Sequence, residues 1–245
     1  MSTTMRTLPD GRQYTPSLEG MPPRSLAPSK AARIVTIVAL TFTMLYFVLP
    51  IIWVMFSSTK SNADLVSTNG FWFGHFELGD NYTKLMGWTQ GLFWRWVLNS
   101  LFYSTAAGII GTLISVAAGY AMAKFVFPGR NVSMAMIMAG LLMPVALLTI
   151  PLYVVFHNLG LTDTVWAILI PSCVSPFGVF LGRVYADSSV PTELIEAARI
   201  DGASEARVFF TIVLRLLAPA MVTIFLFIFV ATWNNFLLPL MMVST

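Results

Sequence analysis

Two short stretches of this chain carry most of the residues that could do more than fill a membrane. The first holds Glu196, Ala197, Ala198, Asp201 and Gly202; the second is Trp233-Asn234-Asn235. Carboxylates, small side chains and a glycine in close succession suit a turn that presents a surface to a partner, because glycine accepts the left-handed backbone and alanine admits close approach. A solvated or interfacial loop that merely joins two spans has a similar composition. An indole beside two amides can stack on a ring while the amides exchange donors and acceptors with polar groups of a ligand. Each of these residues also has an ordinary structural use, tryptophan at the membrane interface and asparagine between helices.

Other chemistry finds no frame. His75 and His157 lie far apart without the spacing of a metal-binding pair,. The single cysteine, Cys173, falls in an apolar run, which removes a disulfide framework or a cysteine metal cluster within the chain and leaves packing as its role,. No nucleophile elbow surrounds a serine. Lys60-Ser61 is the one lysine followed by serine or threonine, and Thr59 stands where a phosphate-binding loop needs glycine,. No catalytic residue, metal ligand or cofactor is expected, and any ATP has to be bound by another chain.

The elements that position the two stretches follow from composition. Hydrophobic residues make up 57% of the chain and charged residues 10%, with a mean hydropathy of +0.77. These values place it among integral membrane proteins. Asp, Glu, Lys and Arg are absent from residues 34–59, 96–123, 131–162, 164–182 and 216–245. A bilayer core takes about 20 apolar residues per helix, and the alternation of a transmembrane barrel is missing. The expectation is an all-α polytopic helical bundle with five spans, formed by residues 31–245. Residues 1–30, rich in Pro, Ser and Thr, read as a mobile cytosolic tail, and the apolar run that follows is too long for a signal peptide.

Basic residues set the orientation. With the N-terminus in the cytosol, inner segments hold eleven of the fourteen Lys and Arg residues, leaving Lys60 and Lys84 outside and Arg95 at a membrane edge. The pI near 9.2 therefore reports topology, and nucleic-acid binding is the weaker reading. Pro50, Pro144, Pro151, Pro171, Pro176, Pro219 and Pro239 lie in or beside the spans, where proline kinks or breaks helices; ordinary tolerance of proline in membranes explains any one of them equally well. Gly108, Gly111, Ala118 and Gly119 mark a span that packs closely against others.

The wet stretch then falls in the cytosol, as a loop at 188–215. Pro191 suits an early helical turn, and Glu193 and Glu196 place negative charge near the positive end of the helix dipole. Gly202 can end the helix in the left-handed conformation, and Ser204 or Asp201 can cap the next one.

This stretch resembles the EAA loop of ATP-binding-cassette importer permeases, in which Glu-Ala-Ala is followed after three residues by Gly and after nine more by Ile-x-Leu-Pro. Glu196-Ala197-Ala198, Gly202 and Ile212-Val213-Leu214 match; Arg215 stands where the pattern has Pro, and Pro219 remains. Carbohydrate permeases of the maltose-transporter type are similar also at Asn99–Ser104, Ala118–Arg130, Pro151–Thr164 and Trp233–Leu240. The resemblance implies that Glu196, Ala197, Ala198, Asp201 and Gly202 form a coupling helix seated in a cleft of an ATPase subunit, and that Trp233, Asn234 and Asn235 face the sugar pathway. It further implies a bacterial inner-membrane, multi-pass subunit in the lipid bilayer. Its partners would be a second permease subunit, an ATPase dimer using ATP and Mg, and an extracytoplasmic sugar-binding protein. Permeases of this family commonly have six core helices, so a chain with five is expected to be incomplete at its C-terminus. An importer permease for another small polar solute, a secondary transporter and a membrane scaffold are the alternatives; no acidic or basic residue lies midway through a span to couple ions.

Overall fold

The structure, a computed structural model, describes residues 29–243 together with the backbone of residues 6–7 and 13–14. The expected tail at 1–30 thus lies mostly outside the described residues; within it β1 (Arg6–Thr7) pairs antiparallel with β2 (Gln13–Tyr14). The chain divides into two units, Met1–Gly87 and Trp88–Thr245.

In the first unit, α1 (Lys30–Ser58) starts where the Ser29 hydroxyl accepts a hydrogen bond from the Ala32 amide at 3.2 Å. Its sequence is apolar on every side and none of its residues is buried, as suits a helix surrounded by lipid or by other helices,. Pro50 sits inside it without ending it. Beyond α1 come α2 (Asn62–Ser67), capped by the Ser61 hydroxyl, and α3 (Leu78–Gly87).

The second unit opens with a tight turn at Trp88–Gly91 and continues as α4 (Phe93–Lys124), α5 (Arg130–Leu142), α6 (Val145–Asn158), α7 (Val165–Ser172) and α8 (Pro176–Ser189). Then follow α9 (Thr192–Ile200), α10 (Glu205–Val208), a π-helical segment at Phe209–Val213, α11 (Leu214–Leu216), α12 (Ala218–Trp233) and α13 (Leu237–Met242).

Among the described residues, three helical runs are long and apolar enough to cross a membrane: α1, α4 and Val165–Ser189. Two bent pairs qualify only if each counts as one span: α5 with α6, bent by 110°, and Glu205–Leu216 with α12, bent by 81°. The five expected spans therefore become three continuous ones and up to two broken ones. Proline explains the first break, since Pro144 drives Met143 into an extended conformation with ψ 123°,. The fifth expected span is itself divided, because α12 stops at Trp233 and α13 starts at Leu237.

Packing centres on α4, α8 and α12. A Cβ added to Gly119 would lie 2.5 Å from the Arg183 nitrogen and 2.6 Å from the Gly182 carbonyl carbon, and one added to Gly182 would lie 3.0 Å from the Ser115 oxygen. The backbones of α4 and α8 therefore touch, which glycine alone allows. Gly108 makes the matching approach to the Phe225 ring of α12, and Gly111 to the Cys173 carbonyl. Cys173 itself is buried and unbridged, a packing residue as expected.

Candidate functional site

The charged stretch folds into a helical hairpin. Pro191 immediately precedes α9 with φ −62°, and Glu193 occupies the first turn. At the other end Gly202 has φ +78°. Its amide donates to the Arg199 carbonyl at 3.0 Å, and the Ala203 amide to the Ala198 carbonyl at 2.9 Å. These paired bonds are the Schellman closure that a left-handed residue makes possible. Of the two possible caps for α10 the chain uses Ser204, whose hydroxyl accepts from the Arg207 amide; Asp201 ends α9 instead.

One side of the hairpin faces the protein. Ile195, Ala198, Val208, Val213 and Leu217 join Tyr120 and Val190 in the main core. Burying an Ile or Val side chain contributes roughly 1.5–3 kcal/mol, so the hairpin is fixed to the bundle rather than hung from it. Ala198 belongs to this inner side: its smallness serves the chain's own packing. Glu196, Ala197, Asp201 and Gly202 lie on the exposed side. The Glu196 carboxylate forms no hydrogen bond or close ion pair among the described residues and acts on Arg199 only at longer range. Arg199 pairs with Glu205 at 2.6 Å and lies over the Phe125 ring at 5.8 Å. The Glu205 hydrogen bond holds the guanidinium more firmly protonated than usual, although an exposed pair of this kind adds little stability.

Sequence reading missed two residues here, Leu194 and Ile200. Ile200 is 86% exposed and Leu194 46%. Both are large aliphatic side chains turned outward on a polar helix, three residues on either side of Ala197, and that spacing was the available signal.

At the far end of α12 the three expected contact residues have different fates. The Asn234 amide donates to the Val230 carbonyl at 2.9 Å, and the Asn235 side-chain oxygen accepts from the Leu238 amide at 3.2 Å. The first amide stays on its own helix, and the second caps α13. Trp233 stacks on Phe229 with centroids 5.9 Å apart and planes 16° from parallel. Trp233 and Asn235 nevertheless line a cavity of about 400 Å³, together with Trp96, Asn99, Tyr103 and Thr232. Asn234 does not line it. The side chains of Asn99, Tyr103 and Thr232 make no hydrogen bond among the described residues, and the full lining contains no Asp, Glu, Lys, Arg or His. Three aromatic residues, Trp96, Tyr103 and Trp233, with spare amide and hydroxyl groups suit an uncharged polyhydroxylated ligand,. Asn99 and Tyr103 were visible in sequence only as part of a matching stretch, since nothing local tied them to residues more than a hundred positions on.

Residues 111–245 match the family described as binding-protein-dependent transport system inner membrane component. The chain is 37% identical over 155 residues to the arabinooligosaccharides transport system permease protein AraQ of Halalkalibacterium halodurans, an alignment covering 63% of this chain and 55% of that one. It is 33% identical over 194 residues to the diacetylchitobiose uptake system permease protein NgcG of Streptomyces coelicolor, covering 78% and 63%. The sn-glycerol-3-phosphate transport system permease protein UgpE of Escherichia coli K12 is 33% identical over 159 residues, covering 65% and 56%. The chain thus spans between about half and two thirds of the length of these relatives. A crystal structure of a bacterial ABC transporter involved in import of the acidic polysaccharide alginate superposes with a TM-score of 0.76 at 26% identity, covering 89% of this chain and 77% of that one. With more than half its length in the match, this helical membrane chain belongs to the family of inner membrane components of binding-protein-dependent transport systems.

Proposed function

We propose that the chain is a permease subunit of an ATP-driven importer of uncharged saccharides, working by alternating access. The observation that carries the reading is the α9–α10 hairpin. It is closed by main-chain bonds and anchored on one side, and on the other it offers the Glu196 carboxylate, the exposed Leu194 and Ile200 side chains and a bare glycine. Its partners are an ATPase dimer that uses ATP and Mg, a second permease subunit and an extracytoplasmic sugar-binding protein. The N-terminus and the hairpin lie on the cytosolic side. The hairpin seats in a cleft of the ATPase, where Glu196 meets a basic group and partial desolvation strengthens the contact.

Nothing within 4 Å would meet a Cβ on Gly202, so the cost of a longer side chain there comes from φ and from the partner surface. Glu196→Lys and Gly202→Asp are expected to leave the membrane level unchanged while ATPase co-purification and uptake fall at least tenfold. Wild-type association and uptake in both variants would reduce the hairpin to a connector. The second permeation reading, another small polar solute, draws on the glycerol-3-phosphate relative. The uncharged lining of the cavity favours the saccharide, because a phosphate would leave its charge unpaired there. Asn99→Ala and Tyr103→Phe are expected to lower saccharide uptake several-fold with assembly intact; unchanged uptake in both would remove the cavity from the pathway.

A further inference from the structure

In the first unit, the segment after α1 does not leave the helix. Residues 59–77 fold back along its C-terminal end. A Cβ on Gly70 would lie 2.8 Å from the Trp53 indole nitrogen, five residues before α1 ends. Phe56, in the last turn of α1, stacks on Trp72 at 6.2 Å and meets Phe73 edge-on at 4.7 Å. Phe76 continues the row, 6.4 Å from Phe73.

Several polar groups of this fold-back are bonded within it, although Asn62, Asn69 and His75 stay exposed. Lys60 is only 2% exposed, and its ammonium donates to the Thr68 hydroxyl at 2.9 Å and the Asn69 carbonyl at 2.6 Å. The Asp64 carboxylate accepts from the His75 amide, and the Asn81 amide bridges the Ser58 and Lys60 carbonyls. The Glu77 amide closes the loop on the Thr59 carbonyl at 2.7 Å. The rings are turned outward instead, with Trp72 66% and Phe76 67% exposed. A buried, bonded lysine beside displayed aromatic rings, with some polar side chains still exposed, suits the boundary between lipid and water better than a wholly water-facing loop,.

We infer that residues 59–77 form an aromatic foot that lies in the bilayer interface and anchors the C-terminal end of α1 in lipid. Three observations choose lipid as the occupant. At 29 residues, α1 is about 43 Å long against a hydrocarbon core of about 30 Å, so its last turns reach the headgroup layer. Contact with Trp53 and Phe56 places the foot at that depth rather than beyond the helix end. The displayed large rings include Trp72, Phe73 and Phe76, of the types that settle at membrane interfaces,, and the segment's one lysine, Lys60, is withdrawn from the surface.

The test uses the full chain in liposomes of phosphatidylethanolamine and phosphatidylglycerol, with Cys173→Ala as background. Spin labels on Trp72→Cys and Phe76→Cys are expected to collide preferentially with dissolved oxygen. Their ratio of oxygen to nickel-chelate collisions should exceed several-fold that of a label on Lys84→Cys, whose side chain is 70% exposed. Equal ratios at all three positions would overturn the inference. So would water-like ratios at 72 and 76 that become protected only when a soluble protein partner is added. Labelled variants lose a ring, so a second measurement keeps one. Trp72→Phe is expected to reduce tryptophan quenching by lipids brominated near the headgroup more than by lipids brominated at mid-chain. No reduction with either lipid would place Trp72 in water.

Discussion

The α4–α8 seam and the α9–α10 hairpin both depend on glycine, and the demand comes from opposite directions. At Gly119 the backbone angles are those of any helical residue, and the obstacle is space: α8 backbone occupies the place of a side chain. At Gly202 the space is open and the obstacle is the angle, φ +78°. A seam glycine is thus required by the fold of the bundle, whereas the hairpin glycine is required by one turn and leaves a smooth exposed surface. Substitutions in the first region should be read in stability, and those in the second mainly in what the surface does.

Gly119→Leu tests the first half most harshly. With backbone atoms 2.5 Å from the new Cβ, the helices have to part, at a cost of about 3 kcal/mol or more. Thermal unfolding in detergent should show a large loss, and an unchanged midpoint would dissolve the distinction. Gly202→Ala should cost about 1 kcal/mol from the left-handed angle alone, and Gly202→Asn less, because asparagine tolerates that region; equal losses would mean that space matters there too. Asn235→Ala removes the cap of α13 and should cost about 0.5–1 kcal/mol, whereas Asn235→Asp keeps the acceptor and should restore stability. Ser204→Ala should be mildest, about 0.5 kcal/mol, because its hydroxyl accepts at 3.4 Å. A larger loss there would show that the α10 start is held less by the buried Val208 than its packing indicates.

Much of this was legible in the residues. Charge gaps marked the apolar segments, small residues marked the seam, and Gly202 announced its own backbone angle. The illegible parts share a cause, which is that they depend on residues distant in the chain or on competition for one group. Ala198 looked like a surface residue until α9 acquired an inner side shared with Tyr120 and Val208. Asn234 and Asn235 gave no sign of the backbone bond each side chain makes, to the Val230 carbonyl and from the Leu238 amide, or that Asn235 lines the cavity and Asn234 does not. Arg215 stands where proline would have marked a bend, yet the chain still turns by 81°. The turn falls at Leu217, with φ −90° and ψ 5°, just ahead of Pro219, which a start-of-helix position accommodates. The π-helical register at Phe209–Val213, closed by the Leu214 amide on the Phe209 carbonyl, left no local sign at all.

That turn at Leu217 has a mechanical meaning. Between Thr192 and Leu216 the chain is a helix, a turn closed by main-chain bonds and a second, unbroken helical rod. Under the proposed coupling role, a push on the tip of a body tied in this way would pass along it rather than be taken up by a loose loop. The first change of helix direction beyond it is the 81° elbow into α12. In that role, displacement along one arm of so steep an elbow would become rotation of the other, and α12 would receive a torque.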